Sequence, residues 1–117
     1  MNLYIDILKC YDILIYEVMM MNKLKLLSMD VLEAAAECLR MMGHPVRLRI
    51  VDVLMQGEFA VHEIAAMCET SPDQTCEHLR QLKGHGFLKS ERRGRMVYYS
   101  IAHPNLPGLI ECVRKNC

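Results

Sequence analysis

The chain has 117 residues, a length that suits one domain with a modest core. Hydrophobic residues make up 52% of it, which excludes a disordered tail, and the lack of Trp predicts an aliphatic, Met-rich core. The formal net charge is zero, so nucleic-acid binding would depend on a local basic patch. Six irregularly spaced cysteines and no recognisable secretory signal favour reduced thiols in the cytoplasm over a disulfide framework.

Residues 1–27 differ from the rest of the chain in their density of Ile, Leu, Tyr and Met. Their apolar residues recur near helical spacing, which is compatible with an amphipathic helix. Charged residues such as Asp6 and Lys9 interrupt the apolar ones, so no membrane span is expected. This N-terminal extension is either a helical dimerisation arm or sequence upstream of the true start, since later methionines such as Met29 offer other starts.

Residues 28–117 form the main predicted domain, which opens with a helix over residues 28–43. In this helix, Asp30 and Glu33 match a capping box, and Gly43 is a natural stop.

Two further helices are predicted over residues 44–57 and 61–70. In the first of them, Pro45 occupies the first turn, its neighbour His44 is expected to be structural, and Arg47 is expected to point away from the core. In the second, Ile64 and Met67 are expected to pack inward.

The next helix begins with the sequence "SPDQTCEHLRQLKG", in which Ser71 is the predicted N-cap and Pro72 the first helical residue. Gln74 completes a capping-box pattern with Ser71. A 3.6-residue periodicity separates an apolar side from a polar side. The apolar side carries Thr75, Leu79 and Leu82, and the polar side carries Asp73, Gln74, Glu77 and Gln81, with His78 and Arg80 at its flanks.

A β-hairpin is predicted after this helix, around the turn Arg92–Arg95, and a short final helix begins near Leu106. Two short helices followed by a hairpin with an arginine-rich tip describe a winged helix-turn-helix, a mainly α fold with a β-hairpin wing. Between residues 71 and 95 there are six basic and three acidic residues, and 6 − 3 = +3 is a local charge that favours double-stranded DNA as the partner.

The helix and the hairpin together provide the candidate DNA contacts. Side chains of the helix can donate to or accept from base edges in a major groove, and the arginines can contact phosphates. The candidates are Ser71, Gln74, Thr75, Glu77, His78, Arg80 and Gln81 of the helix and Arg92, Arg93 and Arg95 of the hairpin.

The chain resembles the ArsR/SmtB family of bacterial repressors from about Asp30 to Cys112. The resemblance is carried by the stretches "GHPVRLRIVDVL", "HEIA", "SPDQTCEHLRQL", "GFLK" and "RGRMVYY". It implies a homodimer joined through the first and last helices, which binds an inverted repeat of DNA. Cys76 and Glu77 depart from the family pattern, in which Ser or Thr is common at the cysteine position.

The resemblance also implies release by a metal, metalloid or thiol-reactive signal. The family's Cys-x-Cys pair aligns with Ala60–His62, and its Asp-x-His pair aligns with His103–Asn105, so these two metal sites are broken here.

A third arrangement in the family uses cysteines near the end of the recognition helix plus a C-terminal cysteine. It is matched only in part, by Cys112 or Cys117, since Gln81 and His85 occupy the helix end. Cys38, Cys112 and Cys117 remain as candidate sensor thiols that could meet across a dimer, and such soft ligands suit arsenite, copper(I) or zinc. The alternative is that these cysteines are buried as small apolar residues.

Three functions are compatible with these patterns. A homodimeric DNA-binding repressor is the leading one, and a ligand-independent regulator or a winged-helix protein-interaction module without a sensor site is the alternative. An enzyme with Cys68 or Cys76 as nucleophile is not expected, because no phosphate-binding loop or acidic partner supports it.

Overall fold

A computed structural model describes residues 15, 17 and 23–115, and the chain divides into two compact units, residues 1–37 and 38–117. Most of the predicted extension over residues 1–27 lies outside the described residues. Within residues 23–115 the elements are α1 (Met29–Met42), α2 (Pro45–Leu54), β1 (Phe59–Ala60), α3 (Val61–Cys68), α4 (Pro72–Gly84), β2 (Leu88–Arg93), β3 (Met96–Ile101) and α5 (Leu106–Arg114).

The starts of α1 and α2 are defined by side chains that accept backbone hydrogen bonds. Ser28 Oγ accepts from the backbone nitrogen of Val31 at 3.3 Å, so this serine caps α1 and the predicted cap at Asp30 is wrong. His44 caps α2, because its Nδ1 accepts from the backbone nitrogen of Val46 at 3.2 Å. The structural role predicted for His44 is thereby confirmed.

The core of the second unit is aliphatic, as the composition predicts, but it is not Met-rich, because Met42 is the only methionine among its buried residues in the described part of the chain. Helix α2 packs against α3 and α5, and α4 packs against α3 and β2. Ile50, Val51, Ile64, Leu79 and Leu82 are fully enclosed. The core is completed by Met42, Leu54, Phe87, Leu88, Leu106 and Ile110.

The sheet has three antiparallel strands in the order β1-β3-β2. The predicted hairpin pairs Leu88 with Ile101 at its base and Arg93 with Met96 at its tip. Its turn is Gly94-Arg95, and Gly94 has a φ of 65°, a conformation that glycine adopts without strain. Strand β1 was not predicted, and its two residues pair with Tyr98 and Tyr99 of β3.

Two side chains depart from the orientations that periodicity predicts. Met67 of α3 is 38% exposed, so it is not a core residue in the single chain. Arg47 is partly buried and does not point away from the protein. Arg47 instead forms hydrogen bonds with His78 and Gln81 of α4.

The order and packing of these elements confirm the winged helix-turn-helix. Helices α3 and α4 form the helix-turn-helix, and β2 and β3 form the wing. Within the described residues, no helix has both the length and the apolar run needed to span a bilayer.

Ser71 caps α4, since its Oγ accepts from the backbone nitrogen of Gln74 at 3.2 Å. We expect Ser71→Ala to lower the free energy of unfolding by about 1 kcal/mol, because a helix-terminal amide loses its acceptor. Ser71→Asp is the matched control, since aspartate caps equally well and should retain the stability. Urea titration without DNA measures both, and equal stability of the alanine variant and the wild type would contradict the capping role.

Candidate nucleic-acid interface

Helix α4 is oriented by the burial of one of its sides. Leu79 and Leu82 are fully enclosed, and Thr75 is buried beside them. The Thr75 hydroxyl donates to the backbone carbonyl of Ser71 at 2.8 Å, which satisfies it internally. Thr75 is therefore a packing residue, and, contrary to the sequence-based expectation, it has no exposed surface to offer DNA. The outer face of α4 is defined here as Gln74, Glu77, His78, Arg80 and Gln81.

The first turn of α4 holds Gln74 in one orientation. Its Oε1 accepts from the Thr70 hydroxyl at 2.8 Å, and its backbone nitrogen donates to Ser71. The predicted capping box is therefore only half formed, because the Gln74 side chain binds Thr70 in place of the Ser71 backbone. Since the amide oxygen is engaged, the exposed amide nitrogen remains as a donor.

Glu77 is linked to two neighbours on the outer face. Its Oε2 accepts from Arg80 Nη1 at 2.9 Å, and its Oε1 accepts from Gln81 Nε2 at 2.9 Å. The Arg80 and Glu77 side chains are 74% and 55% exposed, so this ion pair adds little to stability. Its effect is local, because it offsets the negative charge that Glu77 would otherwise present alone.

Arg47 of α2 contacts two residues of the outer face of α4. Its Nε donates to His78 Nδ1 at 3.2 Å, and its Nη2 donates to Gln81 Oε1. A third bond runs from Nη1 to the carbonyl oxygen of Met41, at 3.0 Å. Sequence patterns missed this residue because 31 positions separate it from His78, and helical periodicity indicates orientation only within one helix.

His78 lies in a setting that disfavours its protonation. Burial lowers the pKa of its imidazole, and the neighbouring His44 and Arg47 lower it further, while Glu77 acts in the opposite direction. The His44 and His78 rings lie 4.6 Å apart between centroids. His78 is therefore held as a neutral imidazole that accepts from Arg47.

Arg93 anchors the wing instead of projecting from its tip. Its Nη2 lies 2.6 Å from Glu58 Oε2 and 3.0 Å from Glu91 Oε2. Its guanidinium also lies over the Tyr98 ring, 4.8 Å from the centroid. The contact with Glu58 ties β2 to the segment just before β1.

Arg92 and Arg95 are the arginines at the wing tip that have no acidic partner within the described residues. Arg92 Nε donates to the Gly94 carbonyl at 3.2 Å, and Arg95 lies exposed in the turn itself. Lys89 on β2 is likewise exposed and forms no ion pair in the described part of the chain. These three cations are available to an anionic ligand.

The cysteines fall into two groups. Cys38, Cys68 and Cys76 are free thiols, as predicted, whereas Cys112 is disulfide-bonded, which departs from the expectation of reduced thiols. Burial raises the pKa of the Cys68 thiol, with Arg49 opposing the shift, so this thiol is poorly reactive. Cys117 lies outside the described residues.

The residues at the two metal positions implied by the resemblance do not fit a metal ion. Ala60 and Val61 supply no ligand atom, and His103 has only Nε2 left to offer, because its Nδ1 already accepts from the backbone nitrogen of Asn105 at 3.2 Å. Among the described residues, no group of three His, Cys, Asp or Glu side chains could hold a metal.

The chain combines a helix-turn-helix whose second helix turns a polar face outward with a hairpin wing that carries cations. These features place it in the class of winged helix-turn-helix proteins. A model of the family described as "bacterial regulatory protein, arsR family" matches residues 44–90. The transcriptional repressor PagR from Bacillus anthracis is 36% identical over 81 residues, covering 68% of this chain and 81% of PagR. The chain belongs to the ArsR family.

Two further comparisons support this assignment. The HTH-type transcriptional repressor SmtB of Mycobacterium tuberculosis is 35% identical over 81 residues, which cover 69% of this chain and 60% of SmtB. The chain thus spans less than two thirds of that relative. The solution structure of the homodimeric winged helix-turn-helix DNA-binding domain Mb0332 from Mycobacterium bovis is 28% identical, has a TM-score of 0.66, and covers 79% of this chain and 88% of that domain.

The lowered pKa of His78 predicts a pH dependence of stability. Between the folded and unfolded pKa values the unfolded chain binds more protons, so the free energy of unfolding falls as pH drops below 6.5. His78→Gln should reduce this loss, because glutamine does not titrate. Urea titrations at a series of pH values measure it, with His62→Gln on the exposed side of α3 as the control. An unchanged pH slope in His78→Gln would contradict the prediction.

Proposed function

We propose that the chain is a homodimeric transcriptional repressor that binds an inverted repeat of double-stranded DNA. The observation that carries the proposal is the arrangement of α4, which buries Leu79 and Leu82 and turns a polar face outward, together with wing cations that have no acidic partner among the described residues. In this proposal the outer face of α4 enters the major groove, as the second helix of a helix-turn-helix does. PagR and SmtB, both described as transcriptional repressors, support the direction of regulation.

The donors and acceptors of the outer face match base edges. The exposed amide nitrogen of Gln74 is a donor for purine N7 or guanine O6. Glu77 is an acceptor for the cytosine amino group, although its carboxylate already receives two hydrogen bonds. Gln74 and Glu77 are thus two proposed base contacts from the first half of α4.

The wing contributes phosphate contacts in this proposal. Arg92, Arg95 and Lys89 lie on the hairpin without acidic partners in the described residues, and cations of this kind bind DNA irrespective of sequence. Arg93 acts indirectly, because its bonds to Glu58 and Glu91 hold the hairpin in position.

The proposed dimer would use α1 and α5. Leu39 on α1 is 58% exposed and Val113 on α5 is 47% exposed, and apolar side chains of this size favour a partner surface. The Mb0332 domain, which is described as homodimeric, supports this part of the proposal.

The cytoplasm is the proposed location, because a DNA-binding regulator of a bacterial family acts there. Release by a metal, metalloid or thiol-reactive signal remains a prediction that rests on Cys38, Cys112 and Cys117, and Cys112 must first be reduced to act as a thiol, because it is disulfide-bonded in the structure. DNA titrations with zinc, arsenite, copper(I) or a sulfur donor check it, and binding unchanged by all four would favour a ligand-independent regulator.

A protein-interaction module without DNA binding is the second candidate. Its support is the acidic pair Asp73 and Glu77 at the exposed start of α4. The pairing of Glu77 with Arg80 weakens that support, since it offsets one of the two charges. The family and the fold are those of transcriptional regulators rather than enzymes.

Replacement of Arg95 tests the wing. We expect Arg95→Ala to weaken binding to duplex DNA and to reduce the slope of log affinity against log salt by about 1 per subunit, because one phosphate contact is lost. Fluorescence anisotropy over a range of salt concentrations measures both quantities. Arg49→Ala removes the same charge from the exposed side of α2 and should change neither. The wing proposal is wrong if the Arg95 variant matches the wild type.

Replacement of Leu39 tests the dimer. Leu39→Glu should shift the protein from dimer to monomer, because a carboxylate would be buried in an apolar interface. Sedimentation velocity at micromolar concentration measures the mass. Met67→Glu is the matched control, since Met67 is 38% exposed on α3, outside the proposed interface. A Leu39→Glu protein that stays dimeric would contradict the assignment of α1.

A further inference from the structure

Arg47 joins the end of α1 to the outer face of α4. Its guanidinium donates to the carbonyl oxygen of Met41, to Nδ1 of His78 and to Oε1 of Gln81. All three acceptors are neutral groups, so these contacts are directional hydrogen bonds rather than ion pairs. The sites on α4 are partly buried, which makes each bond count for more than it would in water.

An arginine offers only donors, so it dictates which atoms its neighbours turn toward it. Gln81 must present its carbonyl oxygen to Arg47, and its amide nitrogen then points to Glu77, whose Oε1 accepts at 2.9 Å. His78 must present an unprotonated Nδ1, so the proton of its neutral ring lies on Nε2. Without such a neighbour, the amide could rotate and the imidazole could take either tautomer.

The same hydrogen bonds continue to the surface of the helix. Gln81 donates to one oxygen of Glu77, and Arg80, which is 74% exposed, donates to the other at 2.9 Å. A continuous chain of hydrogen bonds therefore runs from the partly buried Arg47 through Gln81 and Glu77 to the exposed Arg80. The direction of the hydrogen bonds on the outer face thus depends on Arg47, which lies on α2 and is not part of that face.

We propose that Arg47 is a positioning residue for base recognition, which imposes the donor and acceptor pattern that His78 and Gln81 offer to DNA. This inference rests on the proposed DNA-binding function. With Arg47 in place, His78 offers an N–H donor, which suits purine N7, guanine O6 or thymine O4. Without Arg47, the same ring offers either a donor or an acceptor, so its discrimination between base edges is lost.

The tautomer of His78 provides a test that needs no DNA. Long-range nitrogen–proton NMR spectra of the full-length wild type at neutral pH should show Nδ1 unprotonated and Nε2 protonated. Arg47→Met should give averaged shifts from both tautomers. Arg49→Met, which removes the same charge two residues along α2, should keep the wild-type pattern. A single Nε2–H tautomer in Arg47→Met would overturn the inference.

Selection from a random duplex pool provides the functional test. The measured quantity is the affinity for the selected duplex divided by that for the random pool. Arg47→Met should lower this ratio by about tenfold, the discrimination of one base contact, with the random-pool affinity within about twofold of wild type. Arg49→Met should change neither quantity.

Each outcome of the selection separates the two proposals. A wild type that enriches no sequence overturns the proposed function and this inference with it. A wild type that enriches one sequence, together with an unchanged ratio in Arg47→Met, overturns this inference alone. If Arg47→Met does not fold, Arg47→Lys replaces it, because an ammonium lacks the planar fork needed to hold three separated acceptors. The lysine variant should also mix the tautomers, and a single Nε2–H tautomer there would overturn the inference.

Discussion

Burial of one side of α4 is the constraint on which the rest of the structure depends. Leu79 and Leu82 are enclosed in a core to which α2, α3 and β2 contribute, and each fully buried leucine stabilises the fold by about 1.5–3 kcal/mol. Thr75 can join them because its hydroxyl is satisfied within the helix. A helix that buries one side must expose the opposite one, so the position of the outer face follows from the packing of the apolar side.

The organisation of that exposed face comes from a different source. The ion pair between Glu77 and Arg80 lies in solvent, where such pairs contribute at most about 1 kcal/mol. The bonds from Arg47 to His78 and Gln81 are partly buried and charge-assisted, a class of hydrogen bond that is about twice as strong as a neutral one. The orientation of His78 and Gln81 therefore depends on α2, whereas Glu77 and Arg80 are oriented by contacts within α4. The wing is likewise positioned by a contact from another element, since Arg93 is held by Glu58 from the segment before β1.

Elements with strong local signals were predictable from the sequence. Pro72 after a capping serine, and Gly94 at a tight turn, mark α4 and the hairpin because their effects act within a few residues. Strand β1 was missed because two residues carry no periodicity, and it exists only by pairing with β3. The cap of α1 was placed two residues late, because both Ser28 and Asp30 are good capping residues and sequence does not rank them.

The sequence by itself determined the class of fold, the family, and which side of α4 turns outward, because periodicity, caps and turns act over short stretches of chain. Only the tertiary structure decided what the polar residues do. Arg47 turned inward to His78, 31 residues away, and Arg93 turned to Glu58, 35 residues away. Such pairs form only when separate elements pack together. Local sequence patterns cannot predict them, because the partners are more than 30 residues apart in the chain.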